Sequence, residues 1–197
     1  MPSPPAPDPA VPAAPRAVTV LSVATRGPHS GLIVAVPEAE PAVARHRERL
    51  DGTAPLGVPA HITVLFPFLA PGRIHPSVLV ELEHLFAAVG RFSFRLERTD
   101  WFGEDVLWLA PADPVPFRAL TLRVYEAFPA CPPFEGEFDE IIPHLTVGHG
   151  HPVDDLRAAE AAVQEHLPIE AHATAVSLMT QRTPGGRWTR AASFTLG

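Results

Sequence analysis

Lysine is absent: all 15 basic residues are arginine. P-loop nucleotide hydrolases need a lysine on the β/γ-phosphates, and Schiff-base and lysyl-adenylate enzymes need a lysine nucleophile. None of these chemistries, by its usual mechanism, fits this chain. Cysteine is nearly absent as well. The single Cys131 can form no internal disulfide, and the chain can build no cysteine-rich zinc site. No apolar run approaches the roughly 18 residues of a membrane span. The N-terminus lacks a basic segment followed by an apolar core, so no secretory signal is expected. Neither a membrane association nor export follows, and the cytoplasm is the expected compartment. Positive charge is in deficit, with 15 arginines against 22 acidic residues and a net charge of −7. That balance argues against broad, sequence-independent binding along a nucleic-acid backbone. A small phosphorylated ligand or a single RNA end stays compatible. No G-x-G-x-x-G follows a strand, so the dinucleotide fingerprint is missing too.

What remains is ordinary for a globular protein: 197 residues, 46% of them hydrophobic. That is enough chain for one domain, or two small lobes, with a real core. Seven of the first 15 residues are proline, so residues 1–16 read as a disordered Pro/Ala-rich tail and residues 17–197 as a single bilobal domain.

Composition and periodicity predict the elements. A short strand is possible over Ala17–Ala24, and a buried strand starts at Gly31 (GLIVAV). Pro37–Leu50 reads as a helix, acidic at its start and arginine-rich at its end. Ala60–Phe68 reads as a strand and Ser77–Val89 as an amphipathic helix with Ser77 as its N-cap. Phe92–Trp101 and Val106–Ala110 read as a hairpin, followed by a helix over Pro116–Phe128 and a long loop over Pro129–Pro143. His144–Gly148 reads as a strand and Val153–Leu167 as a helix. Ala171–Thr180 and Trp188–Leu196 read as a final pair of strands. The irregular alternation of elements with several hairpins is α+β with antiparallel sheets, not a doubly wound parallel sheet.

The informative feature is a short internal repeat. His61-Ile62-Thr63-Val64 recurs as His144-Leu145-Thr146-Val147, each shortly after a proline. In a chain of this composition the pattern is expected roughly 0.1 times by chance. Residues i and i+2 of a strand share a face. His61 and Thr63 therefore point one way and Ile62 and Val64 the other; the same holds in the second copy. Two strands facing each other across a cleft bring two imidazoles and two hydroxyls together. Near neutral pH two imidazoles can serve as general acid and general base, and threonine hydroxyls can donate to phosphoryl oxygens. In-line displacement at phosphorus needs an attacking and a leaving oxygen on opposite sides, which a pseudo-symmetric pair of histidines supplies.

The pair resembles the H-x-T-x motifs of the 2H phosphoesterase superfamily, which includes 2′-5′ RNA ligase-like proteins and cyclic nucleotide phosphodiesterases. The flanks PAHITVLFPF (59–68), LWLAP (107–111) and PPFEGEFDEIIPHLTVGHG (132–150) are similar as well, and the likeness runs from about Gly31 to the C-terminus. The resemblance implies a bilobal fold in which two antiparallel sheets with outer helices flank a central cleft, each lobe giving one motif. It implies metal-independent chemistry on 2′,3′-cyclic phosphates or 2′-5′ phosphodiesters of RNA ends or small nucleotides, with no cofactor and no metal. It makes His61 and His144 the acid/base pair and Thr63 and Thr146 the phosphate binders. A monomer without a protein partner is expected. Some members carry a basic residue soon after the second motif, where Gly148-His149-Gly150-His151 stand here. Others carry tyrosine where this chain has Phe66 and Phe134.

Phe134 and the arginines Arg182 and Arg187 by the last turn are candidate substrate contacts. Phe66, Phe68, Trp101 and Phe102 read mainly as core. Arg45, Arg47 and Arg49 read as one solvated helix face, and Arg91, Arg95 and Arg98 as exposed strand positions. His149 and His151 read as loop residues; with Asp139 or Glu140 they would form the metal site of a rival hydrolase. A second rival is a nucleotide or RNA-end binder without turnover, and a third is a scaffold with structural histidines. Cys131 reads as structural or incidental, with nothing nearby to activate its thiolate.

Overall fold

Strand alternation and helix periodicity resolve into two sheets in a computed structural model that describes residues 28–136 and 140–197. The strands are β1 (His29–Ala35), β2 (His61–Leu65), β3 (Phe92–Phe102), β4 (Val106–Pro111), β5 (Leu145–His149), β6 (Ile169–Ala173), β7 (Ala175–Gln181) and β8 (Trp188–Thr195). The helices are α1 (Glu40–Leu50), α2 (Pro76–Ala87), α3 (Val115–Ala127) and α4 (Val153–Gln164). One sheet has the order β2-β1-β7-β8, the other β5-β4-β3-β6, and every pairing is antiparallel. The fold is α+β, with two four-stranded sheets. Both sheets feed one main apolar core, from Leu32, Val34 and Ile62 in the first to Leu109, Leu145 and Val147 in the second. Among the described residues no helix is long and apolar enough to cross a membrane.

Four expectations are corrected. The predicted strand Ala171–Thr180 is two strands in different sheets, with Thr174 carrying the chain from one to the other. The predicted helix Pro37–Leu50 opens as a 3-10 turn, Pro37–Ala39, and becomes α-helical at Glu40. Pro41 is the reason: without an N–H, it fits only the first helical turn. Ser77 caps nothing, because α2 begins with Pro76 in its first turn and His75 before it. The strand Ala60–Phe68 ends at Leu65, since Pro67 cannot donate to a ladder; Phe68 N–H still reaches the Ser30 carbonyl at 2.8 Å. The possible strand Ala17–Ala24 and the tail over 1–16 lie outside the described residues.

Topology sets up the site. β1–α1–β2 and β4–α3–β5 are equivalent units: a strand, a helix, a loop, and an edge strand carrying one copy of the repeat. The helices are exchanged. α1 packs on β5 of the other sheet, and α3 packs on β2. At the α1–β5 contact the fit is tight. A Cβ on Gly148 would sit 2.7 Å from Leu50 Cβ and 2.8 Å from Leu156 Cδ2, so only glycine serves there.

Candidate active site

The two edge strands β2 and β5 touch each other where the sheets meet. Alternation holds in both copies of the repeat. Ile62, Val64, Leu145 and Val147 are buried in the core, while His61, Thr63, His144 and Thr146 are half-buried on the opposite faces. His144 stands one residue before β5, yet keeps the alternating orientation.

Each imidazole is held in the same way. His61 Nδ1 lies 2.8 Å from the Pro59 carbonyl and His144 Nδ1 lies 2.8 Å from the Ile142 carbonyl, in each case two residues upstream. A carbonyl only accepts, so Nδ1 carries the proton in both rings. Nε2 is then the lone-pair nitrogen of the neutral ring, the atom left to exchange protons.

The electrostatics differ between the two. Burial is the main force lowering the His61 pKa, and the nearby Arg47 cation adds to it. The Pro59 carbonyl and Asp51 oppose them, His144 adds a small lowering, and the result is a pKa of about 4. For His144 burial lowers the pKa and the bond to the Ile142 carbonyl opposes it.

Around His61 the support is ionic. Arg47 is fully buried, not part of a solvated face as its neighbours Arg45 and Arg49 are. Its Nε and Nη2 donate to Asp51 Oδ2 at 3.1 and 2.8 Å, and its Nη1 donates to the Val58 carbonyl at 3.3 Å. Asp51 Oδ1 accepts from Thr53 N–H and Oγ1 at 2.9 and 2.8 Å. Burial opposes the Asp51 carboxylate, but Arg47 and Thr53 hold its pKa below the usual range. Around His144 the support is aromatic. Its ring lies edge-on to Phe102 at 5.0 Å and to Trp108 at 5.7 Å, and those two stack at 4.8 Å. Trp108 is the register partner of Thr146.

The remaining candidates scatter. Phe134 N–H donates to the Phe66 carbonyl at 2.8 Å, which ties the loop entering the second motif to the end of the first. Phe134 and Glu135 both have positive φ, 50° and 58°, a strained turn for non-glycine residues. Phe66 is buried in a small cluster with Ile33, Val58, Met179 and Trp188, and Phe68 is buried in the main core. Arg182 and Arg187 are exposed beside the β7–β8 turn, with Arg187 against the Gly57 backbone. His149 is no loop residue: it ends β5 and is buried. His151 is exposed, Glu140 pairs with Arg118, and Asp139 lies outside the described residues. Among the described residues no three His, Cys, Asp or Glu side chains cluster as a metal site. Cys131 is buried and its thiol pKa is pushed up by that burial, so it is not activated.

Sequence reasoning missed Arg47, Phe102 and Trp108. Arg47 and Asp51 carry an i,i+4 signal, but Arg45 and Arg49 flank it with identical chemistry. Trp108 would have followed from pairing the second motif strand with the predicted hairpin.

Fold and site together define a class: two-lobed α+β proteins with one histidine–threonine pair from each lobe at the seam. The structure is similar to that of TT0787 of Thermus thermophilus, at a TM-score of 0.56 and 18% identity over 85% of this chain and 97% of that one. It is similar to E. coli LigT in its apo form (TM-score 0.52, 17% identity, 86% and 98% covered) and to a phosphoesterase (0.53, 14%, 85% and 98%). No curated protein sequence matches the chain. The sequence model of the 2′-5′ RNA ligase superfamily matches residues 35–185, and the chain belongs to that superfamily, the 2H phosphoesterases.

Proposed function

We propose that the protein opens 2′,3′-cyclic phosphates or 2′-5′ phosphodiesters of RNA ends or small nucleotides, with His61 and His144 as the acid/base pair. The observation that carries this reading is the mirrored pair of Nδ1–carbonyl bonds. They leave two imidazoles from opposite lobes with Nε2 as the working nitrogen.

In hydrolysis one Nε2 takes a proton from water as the water oxygen bonds to phosphorus. The P–O2′ or P–O3′ bond breaks, and the leaving oxygen takes a proton from the other imidazolium. The products are a phosphate monoester and a free hydroxyl. Thr63 and Thr146 donate to the non-bridging oxygens as charge builds there. Burial disfavours the imidazolium that the acid role needs. A phosphodiester anion bound between the rings offsets that, because an adjacent negative charge raises a histidine pKa. The net charge of −7 favours a small nucleotide or one RNA end over a long strand. LigT, which shares the fold, has been solved with NADP+, with 3′-AMP and with ATP, which supports a nucleotide ligand here.

The test is turnover of 2′,3′-cyclic nucleotides and of a short RNA with a cyclic-phosphate end, in EDTA. Wild type should turn over, and folded His61→Ala and His144→Ala should each lose about 100- to 10,000-fold. Binding without turnover by folded wild type would move the assignment to a nucleotide or RNA-end binder.

A further inference from the structure

The two histidines share one more feature. In each unit an arginine on the helix donates to the backbone carbonyl three residues before the histidine. Arg47 of α1 reaches the Val58 carbonyl at 3.3 Å through Nη1. Arg118 of α3 reaches the Ile141 carbonyl at 2.8 Å through Nε. The next carbonyl in each turn, Pro59 or Ile142, is the one that accepts from the imidazole. Each arginine is anchored by a carboxylate: Asp51 at 2.8 Å for Arg47, Glu140 at 2.6 Å for Arg118. The first turn has further ties. Ala60 N–H donates to Glu40 Oε1 at 2.7 Å, and the Ala60 carbonyl accepts from Val36 N–H at 2.8 Å.

We propose that Arg47 and Arg118 are paired positioning residues, each clamping the peptide turn whose second carbonyl fixes one imidazole as its Nδ1–H form. This rests on the reading of His61 and His144 as the reacting groups. The reasoning is geometric. An imidazole on a half-buried edge strand can rotate about χ2 and exchange tautomers unless its acceptor is fixed. A loop carbonyl is fixed only if the loop is. An arginine fork bonded at once to a carboxylate and to the preceding carbonyl supplies that from a rigid helix. The charged and titratable groups facing His61 are Arg47 and Asp51, from the end of α1 and the residue after it, and His144 across the seam. In the first lobe, therefore, the clamp also sets a charge beside the ring.

The test is long-range ¹H–¹⁵N NMR of the imidazoles in the full chain, in wild type, Arg47→Met and Arg118→Met, with kcat and KM on a 2′,3′-cyclic nucleotide. Wild type should show both rings as Nδ1–H. Arg118→Met should give His144 mixed tautomers and leave His61 unchanged. Arg47→Met should disturb His61, leave His144 unchanged, and raise the His61 titration by about one pH unit as the cation is lost. Each should lower kcat by about 10- to 100-fold with a smaller change in KM. Should Arg47→Met fail to fold, Arg47→Met combined with Asp51→Asn removes both charges and leaves an amide oxygen to accept from Thr53. His61 should still titrate higher there, because Arg47 outweighs Asp51 at that ring. Unchanged tautomers in folded variants at both positions would overturn the proposal. So would equal disturbance of both rings by either substitution. The NMR readout needs no turnover, so an inactive wild type with these ring-specific responses would support the clamp and overturn only the proposed reaction.

Discussion

The unit β1–α1–β2 and the unit β4–α3–β5 put the same atoms in the same relation and hold them by different physics. In the first, the arginine–carboxylate pair is sealed, with Arg47 and Asp51 at 2% and 3% exposure. In the second, Arg118 and Glu140 stand at 38% and 67%, open to water. The second histidine has an aromatic wall, Phe102 on Trp108, that the first lacks among the described residues. The lobes share the Nδ1–carbonyl bond, the i+2 threonine and an arginine bonded to the turn before the histidine, the features the proposed chemistry would use. What differs is whether an ion pair is worth burying. Burial makes the first clamp rigid and places a cation beside His61. It also makes that clamp costly to break from one side.

The largest effect expected follows from that asymmetry. Asp51→Asn strands a buried guanidinium and should cost about 3 to 5 kcal/mol of stability. Glu140→Gln touches an exposed pair and should cost less than about 1 kcal/mol. Urea unfolding of the two variants checks this, and equal losses would erase the distinction between the lobes.

Thr63→Val and Thr146→Val address what the lobes share. Each removes one hydroxyl at nearly constant volume and should lower kcat about 100-fold. Steady-state kinetics on a 2′,3′-cyclic nucleotide would expose an inequality. A loss in one variant alone would mean that only one lobe holds the phosphoryl group.

Acid should probe both rings. The unfolded chain protonates its histidines near the usual value of about 6.5. The folded state resists at His61 until about pH 4, and His144 is shifted in the same direction. Over that window the unfolded state binds more protons, so stability falls as pH falls, and the His61 contribution levels off below about 4. The Asp51 carboxylate, held below its usual range, adds a further loss at still lower pH. Urea midpoints at neutral and mildly acid pH measure the slope; a flat profile would contradict the burial of both imidazoles.

The smallest effect belongs to the aromatic wall. Phe102→Leu should cost about 1 kcal/mol of support at His144, or about 5-fold in kcat, and leave the His61 NMR signals unchanged. A shift of the His61 signals would show that the wall serves both rings.

The repeat was readable because a strand's period of two turns four residues into two faces, and because each copy carries its apolar pair on the core side. The family followed from the repeat and its flanks. The change of sheet at Thr174 was not readable. AHATAVSLMT favours strand throughout, and only the pairing of each half with a different sheet reveals the crossing. Arg47 was hidden for a similar reason. Arg45 and Arg49, four residues apart, share the exposed face of the helix, while Arg47 points across it, and its burial depends on the loop that covers that side. Arg118 carried no signal, since its carbonyl partner is 23 residues away.

In the proposed reaction, two unlike lobes make one catalytic unit. Single-turnover rates of His61→Ala, His144→Ala and the double variant on one 2′,3′-cyclic nucleotide test it most directly. Residues acting as a unit are not additive, so each single variant should lose about as much as the double. Losses that multiply, or a single variant that keeps most of the rate, would show that the two lobes do not act as one unit.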